Sequence, residues 1–155
     1  MSSKKLVTAA VIASVYAVLT MAIAPFSYGL MQIRISEALT VLPMFTPAAI
    51  PGLFIGCLIA NIISPMGVID MVLGSLATLV AAYGSYKLKN HKWLVPLPPI
   101  IVNGVVIGML LYYVYGVDVS LWACMLWVAG GEAIACYALG MPLIYALERR
   151  KEIFK

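Results

Sequence analysis

Residues 36–64 read SEALTVLPMFTPAAIPGLFIGCLIANIIS, and the number of times this stretch crosses a membrane decides the fold. Pro43, Pro47 and Pro51 punctuate its first half. Read as two helices, each half covers only about 20 Å, short of a hydrocarbon core of roughly 30 Å. The charge map decides the count. Nine of the ten cations fall in three clusters: Lys4 and Lys5; Lys87, Lys89 and Lys92; Arg149, Arg150, Lys151 and Lys155. Hydrocarbon excludes ammonium and guanidinium groups, and the cytoplasmic side retains them, so an even number of crossings must separate successive clusters. The block 93–147 has room for two spans. The block 6–86 then needs four, and a single crossing over 36–64 would strand residues 87–92 on the wrong side. The stretch is therefore read as two short segments with a turn near residues 45–47.

The fold class expected is an all-α integral membrane protein, a six-helix bundle forming a single transmembrane domain over residues 1–155. Its spans lie at about 6–24, 36–46, 47–64, 70–86, 97–115 and 120–148, with both termini cytoplasmic. A hydrophobic content of 64%, a charged content of 10% and a mean hydropathy of +1.04 exclude a soluble globular domain and a disordered chain. The net charge of +4 does not point to nucleic acid, because the cations flank apolar spans and form no basic stripe interleaved with aromatics. The start, Lys4 and Lys5 before an apolar run ending Ala22-Ile23-Ala24, superficially resembles a signal peptide. That run has the length of a full span and is read as a retained helix. Cys57, Cys124 and Cys136 are odd in number, lie in apolar segments without a paired motif, and read as packing residues.

Four carboxylates lie away from the clusters, Glu37, Asp70, Asp118 and Glu132, with Arg34 the one cation beside them. Ser36 is placed to cap a helix with Glu37 in its first turn. A charge at the bilayer centre costs roughly 2.5–3.5 kcal/mol, so Glu132 needs a partner, a proton or a polar cavity. Asn103 falls at similar depth, while Asn61, Asp70 and Gln32 lie towards the outside. A bond between Glu132 and Asn103, and a local ion pair between Arg34 and Glu37, are the structural alternatives to ligand contact; Asp118 reads as a solvated loop residue. Together these acids and amides make a cavity rich in acceptors, suited to a ligand with several N–H donors or a positive charge. Ala9, Ala13 and Ala17 recur every four residues, with Ala10 and Ser14 beside them, and such a stripe serves either internal packing or the docking of a partner helix. His91, the sole histidine, sits in an inner loop, so a His-dependent triad or zinc cage has no candidates within the membrane; no phosphate-binding loop is present.

The run from Arg34 to Pro43, then Ile50-Pro-Gly-Leu-Phe-Ile-Gly-Cys57, Asn61, Ser64-Pro65, Asp70, Gly74-Ser75, Pro98-Pro99, Asn103, Gly131-Glu132 and Cys136-Tyr137 resembles the QueT family over nearly the whole chain. The resemblance implies the substrate-binding S component of an energy-coupling factor (ECF) transporter in a prokaryotic cell membrane. Its ligand would be a queuosine precursor, a 7-deazaguanine bound towards the outer side of six helices. A transmembrane coupling protein and two cytoplasmic ATPases would drive uptake, with ATP hydrolysed by those partners and no cofactor held by this chain. The Ala9, Ala13 and Ala17 stripe would be the face that docks on the coupling protein. A 7-deazaguanine shows adjacent ring N–H and amine donors that a carboxylate accepts as a pair, while an amide can donate to the ring carbonyl. Glu37, Asp70 and Glu132 are the acceptor candidates, and Asn61, Asn103 and Gln32 the amides. Two rival readings remain at this stage, an S component for another vitamin and a self-sufficient carrier with Glu132 as proton relay; a small membrane enzyme is the weakest.

Overall fold

Twenty residues without proline or glycine, Ser3–Ala22, wind into the long helix α1, which stops where Pro25 approaches. The structure, a computed structural model, describes residues 2–27, 33–64 and 66–150. After α1 come a single turn, α2 (Ala24–Ser27), a 3-10 helix (Ile35–Met44), α3 (Ala49–Ile62), α4 (Gly67–Lys87) and α5 (Leu97–Tyr113). The chain then runs through α6 (Leu121–Ala133), a π-helical segment (Ile134–Leu139) and α7 (Gly140–Glu148) as one helix of 28 residues. The described chain is all-α, and three of its helices, Ser3–Ala22, Gly67–Lys87 and Leu121–Glu148, are long and apolar enough to cross a membrane. It is a multi-pass membrane protein. Valines and isoleucines such as Val18, Val68 and Ile62 point outward, where only lipid suits them.

The stretch quoted at the outset does form two segments, but the first is not α-helical. Ile35–Met44 is wound as a 3-10 helix, whose steeper rise of about 2.0 Å per residue carries ten residues some 20 Å, about as far as the fourteen residues of α3 reach. Pro43 lies inside it, where an α-helix would lose a hydrogen bond and meet a ring clash. Ser36 does not cap it. The cap position is Arg34, and Ser36 lies within the first turn, its hydroxyl 2.6 Å from Thr20 Oγ1.

α1, α3, α4, α5 and α6 pack in that order, and the 3-10 helix threads the interior against α1, α4, the π segment and α7. It runs antiparallel to α1: Ser36 meets Thr20, while Leu42 packs with Ile12. α1 and α3 are parallel and nearly touching. A Cβ added at Gly52 would lie 2.7 Å from the Ala9 carbonyl oxygen, and one at Gly56 would lie 2.8 Å from that of Ala13. Ala9, Ala13 and Ala17 are all buried, and Ala9 and Ala13 lie against α3 of the same chain. Ala10 and Ser14 are exposed on the other side. A similar approach joins α5 to α6, where a Cβ at Gly108 would fall 2.6 Å from Met125 Cα.

Apart from Arg34, the described cations gather at one end. Lys92 pairs with Glu148 at 3.3 Å and lies over the Tyr145 ring at 4.4 Å, tying the 88–96 loop to the end of α7. Val7 and Thr8 line the same groove as Leu147, which brings the start of α1 to that end too. Lys87 and Lys89 sit over the rings of Tyr83 and Tyr86, the arrangement expected where aromatics and cations mark a membrane interface. Lys151 and Lys155 lie outside the described residues.

Candidate functional site

Burying a carboxylate or guanidinium without partners is prohibitive, so the buried polar residues of this bundle must find one another. They form a continuous file. It begins at the end remote from the cations, where Ser64 Oγ donates to Asp70 Oδ2 at 3.1 Å and Asn61 Nδ2 reaches the Asp70 carbonyl at 3.4 Å. Arg34 follows, 4% exposed, its Nη2 donating to Asn61 Oδ1 at 3.1 Å and approaching Cys57 Sγ at 3.6 Å. Thr78 on α4 completes the surroundings of that sulfur at 3.3 Å. Next comes Glu37, 1% exposed, whose Oε1 accepts the Tyr16 hydroxyl and lies 4.0 Å from Arg34 Nε.

Deeper in, Asn103 Nδ2 donates to Glu132 Oε1 at 3.0 Å, bridging α5 to α6. The π segment places Cys136 beside both layers. Its Sγ lies 3.9 Å from Glu132 Oε2, 3.7 Å from Thr40 Oγ1 and 3.5 Å from the Glu37 carbonyl oxygen, which also accepts the Thr40 hydroxyl at 2.5 Å. Two irregular helices thus meet at the centre of the bundle, the 3-10 helix with Glu37 and Thr40 and the π segment with Cys136. Such departures from α geometry are costly locally and tend to coincide with sites.

Two atoms in the file are left over. Arg34 Nε and Glu37 Oε2 are buried and have no hydrogen-bond partner among the described residues. Asn103 comes close enough to Glu37 to bear on it, yet not in geometry that satisfies Oε2. A donor and an acceptor therefore stand side by side, unused. Three carboxyl groups, Glu37, Asp70 and Glu132, share the file with a single cation, so it has acceptor capacity to spare.

Of the residues expected from sequence, the structure brings Arg34, Glu37, Asn61, Asp70, Asn103 and Glu132 into this one file; Gln32 lies outside the described residues. Asp118 is exposed in the loop after α5. Both structural alternatives are present, since Arg34 and Glu37 approach as an ion pair and Asn103 bonds Glu132. Sequence reasoning missed Tyr16, Thr20, Ser36, Thr40 and Cys136. Tyr16 carried a usable signal: it falls one turn beyond Ile12 and beside Ala13 and Ala17, on the inward side of α1, where a phenol needs a partner. No group of three or more metal-binding side chains occurs among the described residues.

Residues 6–149 match the family described as QueT transporter. A queuosine precursor transporter QueT from Lactococcus lactis subsp. cremoris (strain MG1363) is 40% identical over 77 residues, covering 48% of this chain and 45% of that protein. The chain thus spans about half the length of the curated relative it matches. No solved structure matches it. With the family match running across every described helix from α1 to α7, the chain belongs to the QueT transporter family.

Proposed function

We propose that this chain is the membrane-embedded substrate-binding component of an importer for a 7-deazaguanine queuosine precursor. The observation that carries the reading is the unused pair Glu37 Oε2 and Arg34 Nε. A 7-deazaguanine presents a ring N–H next to a ring carbonyl, and that lactam edge offers one donor and one acceptor side by side. Glu37 Oε2 would accept the N–H while Arg34 Nε donates to the carbonyl. Asp70 is the acid that would meet an aminomethyl cation on the same base. Asn103 and Glu132 satisfy each other, which makes them the wall that holds Glu37 and Cys136 in place. The name of the Lactococcus relative supports this ligand class.

The energetics would come from elsewhere. The sequence carries no phosphate-binding loop, so any ATP would have to be hydrolysed by a partner, and a transmembrane coupling protein with two cytoplasmic ATPases fits the family resemblance. The described cations other than Arg34 share one end, which supports placing both termini and the 87–92 loop in the cytoplasm and the Asp70 end of the file outside. A cysteine introduced at Asn90 should resist an impermeant thiol reagent added outside, and labelling there would reverse the orientation. The ligand reading is tested by calorimetric titration of the purified chain: a 7-deazaguanine should bind and riboflavin should not, and the opposite order would sink it.

A further inference from the structure

Between α1 and α7 the bundle is not closed. A groove of about 370 Å³ runs there, walled by Val11 and Val15 on one side and Leu143 and Leu147 on the other, with Leu39 and Leu42 of the 3-10 helix as its floor. Val11 and Val15 are 56% and 42% exposed, so the groove opens outward towards lipid. An empty slot in hydrocarbon forfeits dispersion contacts along its whole lining, so something fills it. Spread along the about 12 Å from Val7 to Val15, the volume gives a mean section of about 30 Å². A hydrocarbon chain fits lengthwise in such a slot, whereas a helix about 10 Å across could only rest over its mouth.

The mouth of the groove is charged. Lys4 lies one turn before Thr8, whose hydroxyl bonds the Lys4 carbonyl at 2.9 Å, and so continues the groove face of α1 to its end. Arg150 lies one turn beyond Leu147, its N–H bonded to the Leu147 carbonyl at 2.9 Å. Both are exposed, and neither enters an ion pair among the described residues. We propose that this groove is a binding site for an anionic phospholipid, with one acyl chain lying between α1 and α7 and the phosphate held between Lys4 and Arg150. Basic pockets between transmembrane helices at one membrane face have the right chemistry for this.

The test uses the full chain purified in detergent, offered phosphatidylglycerol or phosphatidylcholine with identical acyl chains, with retained lipid read by native mass spectrometry. Phosphatidylglycerol should be retained in preference. Replacing Lys4→Gln and Arg150→Gln together should weaken its retention about 25-fold, at about fivefold per cation, and bring it level with phosphatidylcholine. Val11→Trp, at an exposed position where the fold is not at risk, should fill the slot and lower retention of both lipids alike. Equal retention of the two lipids by the unaltered chain would overturn the proposal, as would unchanged phosphatidylglycerol retention in the doubly substituted chain. So would a photoreactive residue at position 11 that labels a protein in native membranes instead of lipid.

Discussion

Glu37→Gln is expected to weaken binding of a 7-deazaguanine by about 10- to 100-fold while leaving a folded protein. Glutamine keeps an oxygen for the Tyr16 hydroxyl, the bond that locks the 3-10 helix to α1. It replaces Oε2 with an NH₂ group, so a donor would face both the ring N–H of the ligand and Arg34 Nε. Mismatched donors in a closed site cost about 1–3 kcal/mol, which is one to two orders of magnitude in affinity. Glu132→Gln is the internal control, because a glutamine oxygen can still accept from Asn103 and affinity should move by less than about threefold. Titration of both variants alongside thermal melting separates the roles. Undiminished affinity in Glu37→Gln, or a larger loss in Glu132→Gln, would move the ligand contact from Glu37 to the deeper layer.

Ala13→Trp is expected to abolish folding, the largest stability effect in the molecule. Ala13 is 5% exposed, and its backbone lies so close to Gly56 that a single added methyl there would fall within 3.0 Å of both Ala13 Cα and its carbonyl oxygen. Extra methylenes in a packed core cost about 1–3 kcal/mol; an indole forced between α1 and α3 exceeds that range and parts the helices that carry Tyr16, Cys57 and Asn61. Detergent extraction followed by size-exclusion chromatography checks it, with loss of the monodisperse peak as the expected result. A well-folded Ala13→Trp protein would mean that α1 and α3 separate easily, and would return the stripe to the surface.

That stripe shows where sequence stops being informative. Alanines four residues apart announce a close helix contact, but they look the same whether the partner is in the chain or outside it. The deciding residues were in view: Gly52 and Gly56 carry the complementary spacing on α3. The polar members of the site were legible individually because Glu37, Asp70, Asn103 and Glu132 are expensive in an apolar chain and need a reason to be there. Their order along the file was not, since it depends on the winding of residues 35–44. Side-chain pattern and proline spacing indicate that helix is interrupted near Pro43, yet whether the chain answers with a kink or with a 3-10 run is set by what surrounds it. Here the surroundings are Cys136 and Gly140, whose closeness to Glu37, Ala38 and Val41 exists only after the bundle has assembled. The π segment is hidden for the same reason. Nothing in Ile134–Leu139 taken alone disfavours a plain α-helix.

The central claim is that an acceptor on Glu37 and a donor on Arg34 read the lactam edge of a 7-deazaguanine. The measurement that tests it most directly is calorimetric titration of the unaltered chain with the base and with its N1-methyl analogue, which replaces the ring N–H by a methyl group and preserves the rest of the ring. The account predicts that the parent base binds and that methylation weakens it by at least about tenfold, since Glu37 Oε2 is then left buried without a partner. Equal affinity for the two would contradict it.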